Sequence, residues 1–178
     1  MEPSDAALVV QAQAGDAQAF SALVARHYDM VFRLSWRLMG ERVEAEDLAQ
    51  DVCVGLATKI GGFRAEARFS TWLHRVVVNA ARDRMRRRAS HAKAAAGWGE
   101  VELARQAEAA EADASQAWLT ATMRTLPDDL RETVALVLGE DLTHAQAAEV
   151  LNVSEGTISW RMSETRRRLR QIAEEERA

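Results

Sequence analysis

Proline, glycine and cysteine are scarce in this chain of 178 residues. Two prolines and nine glycines leave few points at which a helix must break. Alanine, leucine, arginine and glutamate, which all favour helices, are abundant, whereas alternating β-branched runs are missing. These absences argue against a sheet-based fold and predict an all-α protein.

The sequence also lacks the features of secreted, membrane-spanning and catalytic proteins. A single cysteine, Cys53, excludes an internal disulfide, and no run of 18 apolar residues is long enough to span a membrane. The acidic start lacks the basic and apolar segments of a signal peptide. No metal-ligand cluster, phosphate-binding glycine loop or nucleophile motif is present. We therefore predict a cytoplasmic protein without catalytic residues, metal, cofactor or membrane insertion.

Positive charge is concentrated in two segments, although the net charge is −4. Residues 64–88 carry eight arginines and two acids, and residues 160–172 carry five arginines and one acid. Between them, residues 100–113 carry five acids and one arginine. Two separated basic segments predict two contacts with a polyanion such as nucleic acid.

The C-terminal part of the chain has the pattern of a helix-turn-helix. Thr143 and Gln146 are spaced as a capping box, Asn152 suits the left-handed position after a helix, and Ser154 can cap the next helix. That second helix has polar residues at its start, where such a helix enters the major groove, and arginines further along for phosphates. A solvated basic face on an ordinary helical hairpin is the alternative interpretation.

Aromatic residues alternate with arginines between Phe63 and Leu73. Aromatic faces on which bases stack, together with cations for phosphates, are what single-stranded DNA binding requires. Packing of Phe63, Phe69 and Trp72 in the core is the alternative interpretation.

Two acidic residues, Asp47 and Asp51, lie one helical turn apart with Gln50 beside them. Like charges at this spacing repel each other, and a basic partner would relieve the repulsion. A solvated acidic face near the start of a helix is the simpler interpretation of this motif taken alone.

The order and spacing of the three motifs resemble the sigma-70 family and, within it, the extracytoplasmic-function (ECF) group. The segments that carry the resemblance are residues 46–52, 69–79, 126–131 and 142–161. The resemblance implies two small helical domains, a sigma2-like bundle (1–90) and a sigma4-like helix-turn-helix domain (116–178), joined by a flexible linker (91–115). It implies a non-enzymatic initiation factor whose partners are core RNA polymerase, promoter DNA and an anti-sigma factor.

The resemblance also implies a role for individual residues. Those expected to bind core polymerase are Asp47, Leu48, Gln50 and Asp51. Those expected at the promoter −10 element are Phe63, Arg64, Phe69, Ser70, Thr71, Trp72, Arg75, Asn79, Arg82 and Arg86. Those expected at the −35 element are Ser154, Glu155, Gly156, Thr157, Ser159, Trp160, Arg161, Arg166 and Arg168, with Arg161 near base edges. Ser159, Trp160 and Glu164 depart from the residues usual in the family.

Two other classes of protein are considered beside this interpretation. A stand-alone DNA-binding regulator that never contacts polymerase would need neither the acidic helix nor the aromatic segment. A recombinase or nuclease with a helix-turn-helix tail would need a catalytic serine, tyrosine or carboxylate cluster, and none is evident.

Overall fold

The computed structural model describes residues 3–95 and 121–175, and within these ranges it is helical and contains no strand. A 3-10 turn extends the third helix and a π-helical turn extends the fifth, while residues 121–125 are also helical. The expectation of an all-α fold is confirmed. The helices are α1 (Asp5–Gln13), α2 (Ala17–Met39), α3 (Arg42–Lys59), α4 (Phe69–Ala95), α5 (Asp128–Val134), α6 (His144–Leu151) and α7 (Glu155–Glu175), and the two turns are Ile60–Gly62 and Ala135–Gly139.

Helix α2 is the central element of the first region, residues 3–95, because it packs against α1, α3 and α4. Its N-terminus is capped by Asp16, whose carboxylate accepts hydrogen bonds from the backbone N–H groups of Gln18 and Ala19. It ends at Gly40, which has a φ of 72°. The helix buries an apolar stripe in the core. The buried apolar residues of this stripe are Ala19, Leu23, Val31, Leu34, Leu38 and Met39.

At the connection to α4 the sequence predicts a left-handed cap at Gly61 and Gly62 and an N-cap at Ser70, and the structure shows neither. Gly61 and Gly62 do not form a left-handed cap, because they continue α3 as a 3-10 turn, and the left-handed residue is Ala65 with a φ of 56°. Ser70 is not the N-cap, since α4 already begins at Phe69. Helix α4 also continues to Ala95, past the expected domain boundary at residue 90. The rest of the expected linker, residues 96–115, lies outside the described residues.

The helix-turn-helix of the second region, residues 121–175, has the local geometry that the sequence predicts. Thr143 and Gln146 form the capping box of α6, and Asn152 follows that helix in the left-handed conformation with a φ of 55°. The hydroxyl of Ser154 accepts the backbone N–H of Thr157 at 3.1 Å at the start of α7. Ile158 and Met162 of α7 are buried in the core of this region.

The two regions pack against each other and share one apolar core. Helix α4 lies against α6, and α2 lies against the π-helical turn that follows α5. Polar links cross the boundary as well: Arg131 donates to the backbone carbonyl of Leu38 at 3.1 Å, and Arg33 and Arg37 both pair with Glu140. The structure therefore holds the regions in contact.

His74 is a polar side chain of α4 that is buried near this contact, with 6% of its surface exposed. Its Nδ1 donates to the backbone carbonyl of Ser70 at 2.7 Å, while Nε2 is buried without a hydrogen-bond partner. Burial lowers the pKa of His74 below its ordinary value, although the Ser70 hydrogen bond and the charge of Glu140 act in the opposite direction. The folded state therefore favours the neutral imidazole.

Acidification should destabilise the protein through His74. In the unfolded chain histidine binds a proton at about pH 6.5, whereas the folded chain resists protonation of His74. The stability that the neutral His74 contributes is therefore present above that pH and is lost as the pH falls through the lower folded pKa. Thermal unfolding of the wild type and His74→Gln should be compared between about pH 7.5 and about pH 5.5. We expect a smaller fall in Tm for the variant, and equal falls would contradict this account.

Candidate functional surfaces

The acidic residues of α3 are held by an arginine of α4. Asp47 and Asp51 have side chains that are 56% and 73% exposed, and each lies within 3.2 Å of the guanidinium of Arg84. The same guanidinium pairs with the half-buried Glu44 at 2.7 Å. The repulsion for which the sequence suggested an external basic partner is thus relieved within the chain. The outer carboxylate surfaces of both aspartates remain exposed.

Exposed apolar residues on α3 were missed by the sequence interpretation. Val43 and Val54 are 65% and 75% exposed and flank the acidic residues on the outer face of the helix, where Gln50 is also exposed. The sequence carried a signal for this exposure, because both valines fall outside the apolar stripe that α3 buries. Leu48, by contrast, is 1% exposed, and its expected place in a partner-binding surface is wrong because its side chain belongs to the core. We call the outer face of Val43, Asp47, Gln50, Asp51 and Val54 the α3 surface.

The aromatic residues around the loop 63–68 pack against one another. Phe63, Phe69 and Trp72 have ring centroids 5.2–5.7 Å apart, and His27 lies 5.3 Å from Phe69. Phe69 is 6% exposed, so the core interpretation holds for this residue, while Phe63 and Trp72 are half-buried. The structure therefore offers two partly accessible rings at the surface and not three.

The loop that carries these rings is anchored from α1. The side-chain amide of Gln13 donates to the backbone carbonyls of Ile60 and Phe63, both at 2.9 Å. Arg64 and Arg68 on the same loop are exposed. The arrangement places two exposed cations next to two partly accessible aromatic rings, which is a combination suited to unstacked nucleic acid.

The predicted DNA-binding residues of α4 differ in their surroundings. Ser70 and Thr71 are half-buried and Asn79 is exposed, while the exposed Arg86 pairs with Asp83 one turn earlier. Arg75 and Arg82, in contrast, face the second region of the chain.

Arg82 forms a bidentate ion pair with Glu132 of α5. Both hydrogen bonds are 2.6 Å long, and Glu132 is 3% exposed whereas the Arg82 side chain is 37% exposed. Arg75 donates to the backbone carbonyl of Glu149 in α6 at 2.7 Å. The bidentate pair thus occupies Arg82, and the bond to Glu149 directs Arg75 toward the second region in this arrangement, although it uses only one of the guanidinium's N–H donors.

The helix α7 exposes polar and basic residues along one face. At its start Ser154, Glu155, Gly156, Ser159 and Trp160 are exposed, and Trp160 has 62% of its surface accessible. Thr157 is half-buried and its hydroxyl bonds to that of Ser154 at 2.8 Å. Farther along, Arg166, Arg167 and Arg170 are exposed. This order of short polar residues followed by arginines is the one that helix-turn-helix proteins use in the major groove.

Arg161 does not lie on that face. Its side chain is 15% exposed, lies 3.4 Å from the carboxylate of Asp129 in α5, and has one buried guanidinium nitrogen without a partner. The expectation that Arg161 reads base edges is therefore not met in this structure. The physical reason is helical periodicity, because residue 161 shares its side of α7 with the buried Ile158 and Thr165.

Glu164 is neutralised by neighbouring arginines. It accepts hydrogen bonds from Arg167 and Arg168 at 2.7–2.8 Å, which lower the pKa of its carboxyl to about 2. The carboxylate thus stays ionised at neutral pH and tethers two cations. Arg168 would have to leave Glu164 before it could contact a phosphate fully.

The remaining titratable side chains do not suggest catalysis. His27 bonds through Nε2 to the carboxylate of Asp5 at 2.9 Å, as expected for a satisfied core histidine. Burial raises the pKa of the Cys53 thiol, which disfavours the reactive thiolate. Across residues 3–95 and 121–175 no group of histidine, cysteine or carboxylate side chains could hold a metal ion. Among the helices described, none is long and apolar enough to cross a membrane.

Comparison with protein families identifies both regions. Sigma-70 region 2 matches residues 23–91, and Sigma-70 region 4 matches residues 122–171. The ECF RNA polymerase sigma factor SigM of Mycobacterium tuberculosis is 36% identical over 171 residues, which are 96% of this chain and 85% of SigM.

Solved structures resemble both regions at once. The structure of CnrH, a sigma factor of Cupriavidus metallidurans, in complex with the cytosolic domain of CnrY has a TM-score of 0.70 and 25% identity, and the match covers 96% of this chain and 97% of CnrH. The structure of the sigma factor RpoE in complex with the anti-sigma factor NepR from Bartonella quintana has a TM-score of 0.72 and 22% identity, with 89% and 98% covered. The latter likeness establishes the fold alone.

The Arg82–Glu132 pair should contribute measurably to stability. Replacing Glu132 with Gln removes the charge of this side chain and keeps its shape. We expect the free energy of unfolding in urea to fall by about 1–2 kcal/mol, because a charge-assisted hydrogen bond is lost while Arg82 stays partly hydrated. The matched control is Glu46→Gln, whose partner Arg42 is 72% exposed. That control should cost under about 0.5 kcal/mol, and equal effects of both variants would contradict the account.

Proposed function

Because the chain belongs to the ECF group of the sigma-70 family, we propose that it directs core RNA polymerase to promoters in the cytoplasm by binding their −10 and −35 elements. The family consists of transcription initiation factors and not of enzymes. The observation that carries the proposal is the presence, on one chain, of the α3 surface and of a helix-turn-helix with complete caps and an exposed arginine face.

Core polymerase binds to the α3 surface in this proposal. Val43 and Val54 supply exposed apolar area, while Asp47 and Asp51 supply negative charge and Gln50 supplies hydrogen-bonding capacity. An apolar patch with a polar rim is the usual composition of a protein-binding surface. Arg84 holds the two aspartates in position, so the surface is organised before the partner arrives.

The −10 element binds along the loop 63–68 and α4. Arg64 is exposed and Phe63 and Trp72 are partly accessible, and the path extends along α4 through Ser70, Thr71, Asn79 and Arg86. Phe69 supports the two rings from beneath. Arg75 and Arg82 join the site only after they leave Glu149 and Glu132.

The −35 element binds to the exposed face of α7. Its first turns supply Ser154, Glu155, Gly156, Ser159 and Trp160 toward the groove. Arg166 and, once released from Glu164, Arg168 supply phosphate contacts. Phosphate contacts give most of the affinity and fix the register, while contacts in the groove select the sequence.

The packed arrangement is proposed to be the resting state of the chain. Its polar links occupy arginines that the −10 element needs, and the matching CnrH structure is a complex with the cytosolic domain of CnrY. An anti-sigma factor that binds this chain would stabilise the same packing and thereby keep Arg75 and Arg82 away from DNA.

The α3 surface is tested by a single charge placed within it. Val54→Asp should abolish capture by purified core polymerase, since a buried unpaired carboxylate is costly in an interface. Val10→Asp is the matched control, because Val10 is 67% exposed on α1 and lies outside the proposed surface. Capture of Val54→Asp as efficiently as of the control would exclude the α3 surface.

Run-off transcription tests the function itself. Core polymerase should start at defined promoters in a fragment library only when the chain is added, because promoter choice resides in the chain. A chain that binds DNA alone and leaves start sites unchanged would be a stand-alone regulator. Cleavage or rejoining of the DNA would indicate a nuclease or recombinase.

A further inference from the structure

The helix α7 presents one large apolar side chain where DNA is proposed to bind. Trp160 is 62% exposed in the second turn of a helix that begins at Glu155. A single exposed apolar residue is common on protein surfaces and assigns no role by itself. The position within the helix-turn-helix is what gives this indole its significance.

The surroundings of Trp160 leave the indole as the most prominent group of the helix start. Gly156, Ser159 and Ser163 are small exposed residues on the same side of α7. A Cβ added to Gly156 would meet only the hydroxyl of Ser154, at 3.8 Å, so no other side chain of residues 3–95 and 121–175 crowds this position. The floor of a DNA groove can therefore approach α7 closely at the indole.

Charge favours a nucleic-acid partner for this face over a protein partner. Arg166 and Arg170 are exposed farther along the same helix, on the part that meets phosphates when such a helix lies in a groove. The caps formed by Thr143 and Ser154 and the left-handed Asn152 hold α7 in the orientation of a recognition helix.

Two side chains next to Trp160 that could read bases by hydrogen bonds are already engaged, while the exposed Glu155 lies at the first residue of α7. The hydroxyl of Ser159 bonds to Nδ1 of His144 at 3.0 Å, and Arg161 is turned toward Asp129. The indole is therefore the accessible reader at this point of the helix. Its carbon edge cannot satisfy a polar base edge, and the only apolar group that a natural base pair shows in the major groove is the C5 methyl of thymine.

We propose that Trp160 determines promoter specificity by contacting a thymine methyl at one position of the −35 element. This inference rests on the proposed role of α7 as the −35 recognition helix. Because the selection of thymine depends on an apolar contact, the free energy of this preference is that of removing one methyl group from water. That corresponds to a preference of about fourfold for thymine over uracil at the contacted position.

A base-substitution experiment in the holoenzyme tests the proposal. Wild type, Trp160→Ala and Trp160→Phe, each assembled with core polymerase, are titrated against a library randomised over the −35 duplex. The wild type should prefer thymine at one position, Trp160→Ala should lose that preference there alone, and Trp160→Phe should retain part of it. Trp160 is largely exposed, so neither variant should disturb folding.

Deoxyuridine at the selected position then isolates the methyl group. It keeps the Watson–Crick pair and the O4 acceptor, so wild-type holoenzyme should lose about fourfold in affinity and Trp160→Ala should lose nothing. With cytosine at that position, addition of a 5-methyl group should restore affinity to the wild type only.

The possible failures are distinguishable. If the wild type preferred one −35 sequence but Trp160→Ala kept every preference, the role of Trp160 would be refuted while the proposed function stood. A preference that Trp160→Ala loses but deoxyuridine does not affect would refute the methyl contact, because the indole N–H would then be the reader. Equal binding of all −35 sequences by the wild type would refute the assignment of α7 itself.

Discussion

The pairing of Arg82 with Glu132 is the interaction on which the arrangement of the two regions depends. Glu132 is nearly inaccessible to water, and a carboxylate in such a place is costly unless its charge is compensated with good geometry. Arg82 supplies that compensation with two short parallel hydrogen bonds from the other region. The α5 carboxylate can therefore remain buried only while α4 lies against it.

The ion pair between Arg82 and Glu132 can also be exchanged for a contact with another anion. Arg82 keeps over a third of its side chain in water, so it can transfer from Glu132 to a phosphate without first being exposed by unfolding. Glu140, which is held by Arg33 and Arg37, repeats this pattern at the other end of the contact. Buried acids on one region and partly hydrated arginines on the other describe an interface that a polyanion can compete for.

Local structure could be predicted from the sequence at the helix-turn-helix, but not at the connection to α4, where Gly61, Gly62 and Ser70 do not form the expected caps. The capping box of Thr143 and Gln146, the left-handed Asn152 and the cap at Ser154 depend on side chains three residues away or fewer, and all three are present. Contacts between distant segments could not be predicted. No spacing in the sequence indicates that Arg84 of α4 meets Asp47 and Asp51, or that Arg82 meets Glu132.

The predicted site residues divide into those expected from helical periodicity and those assigned by resemblance to the family. Exposure of Asp47, Gln50 and Asp51 followed from helical periodicity. The same periodicity places Arg161, which was assigned by resemblance, on the side of α7 that packs against α5. Leu48 and Phe69 belong to motifs, yet their side chains serve the core. Membership of a motif alone thus does not separate surface residues from supporting ones.

The distance between the two regions is the most direct test of this account. Fluorophores on cysteines introduced at Val10 and Glu174, in a chain with Cys53 replaced by serine, report that distance by energy transfer, since both positions are exposed and lie outside the proposed DNA contacts. Transfer should be high in the free chain and fall when core polymerase and promoter DNA are added together, as Arg82 exchanges Glu132 for phosphate. Unchanged transfer in a complex that initiates transcription would contradict the account.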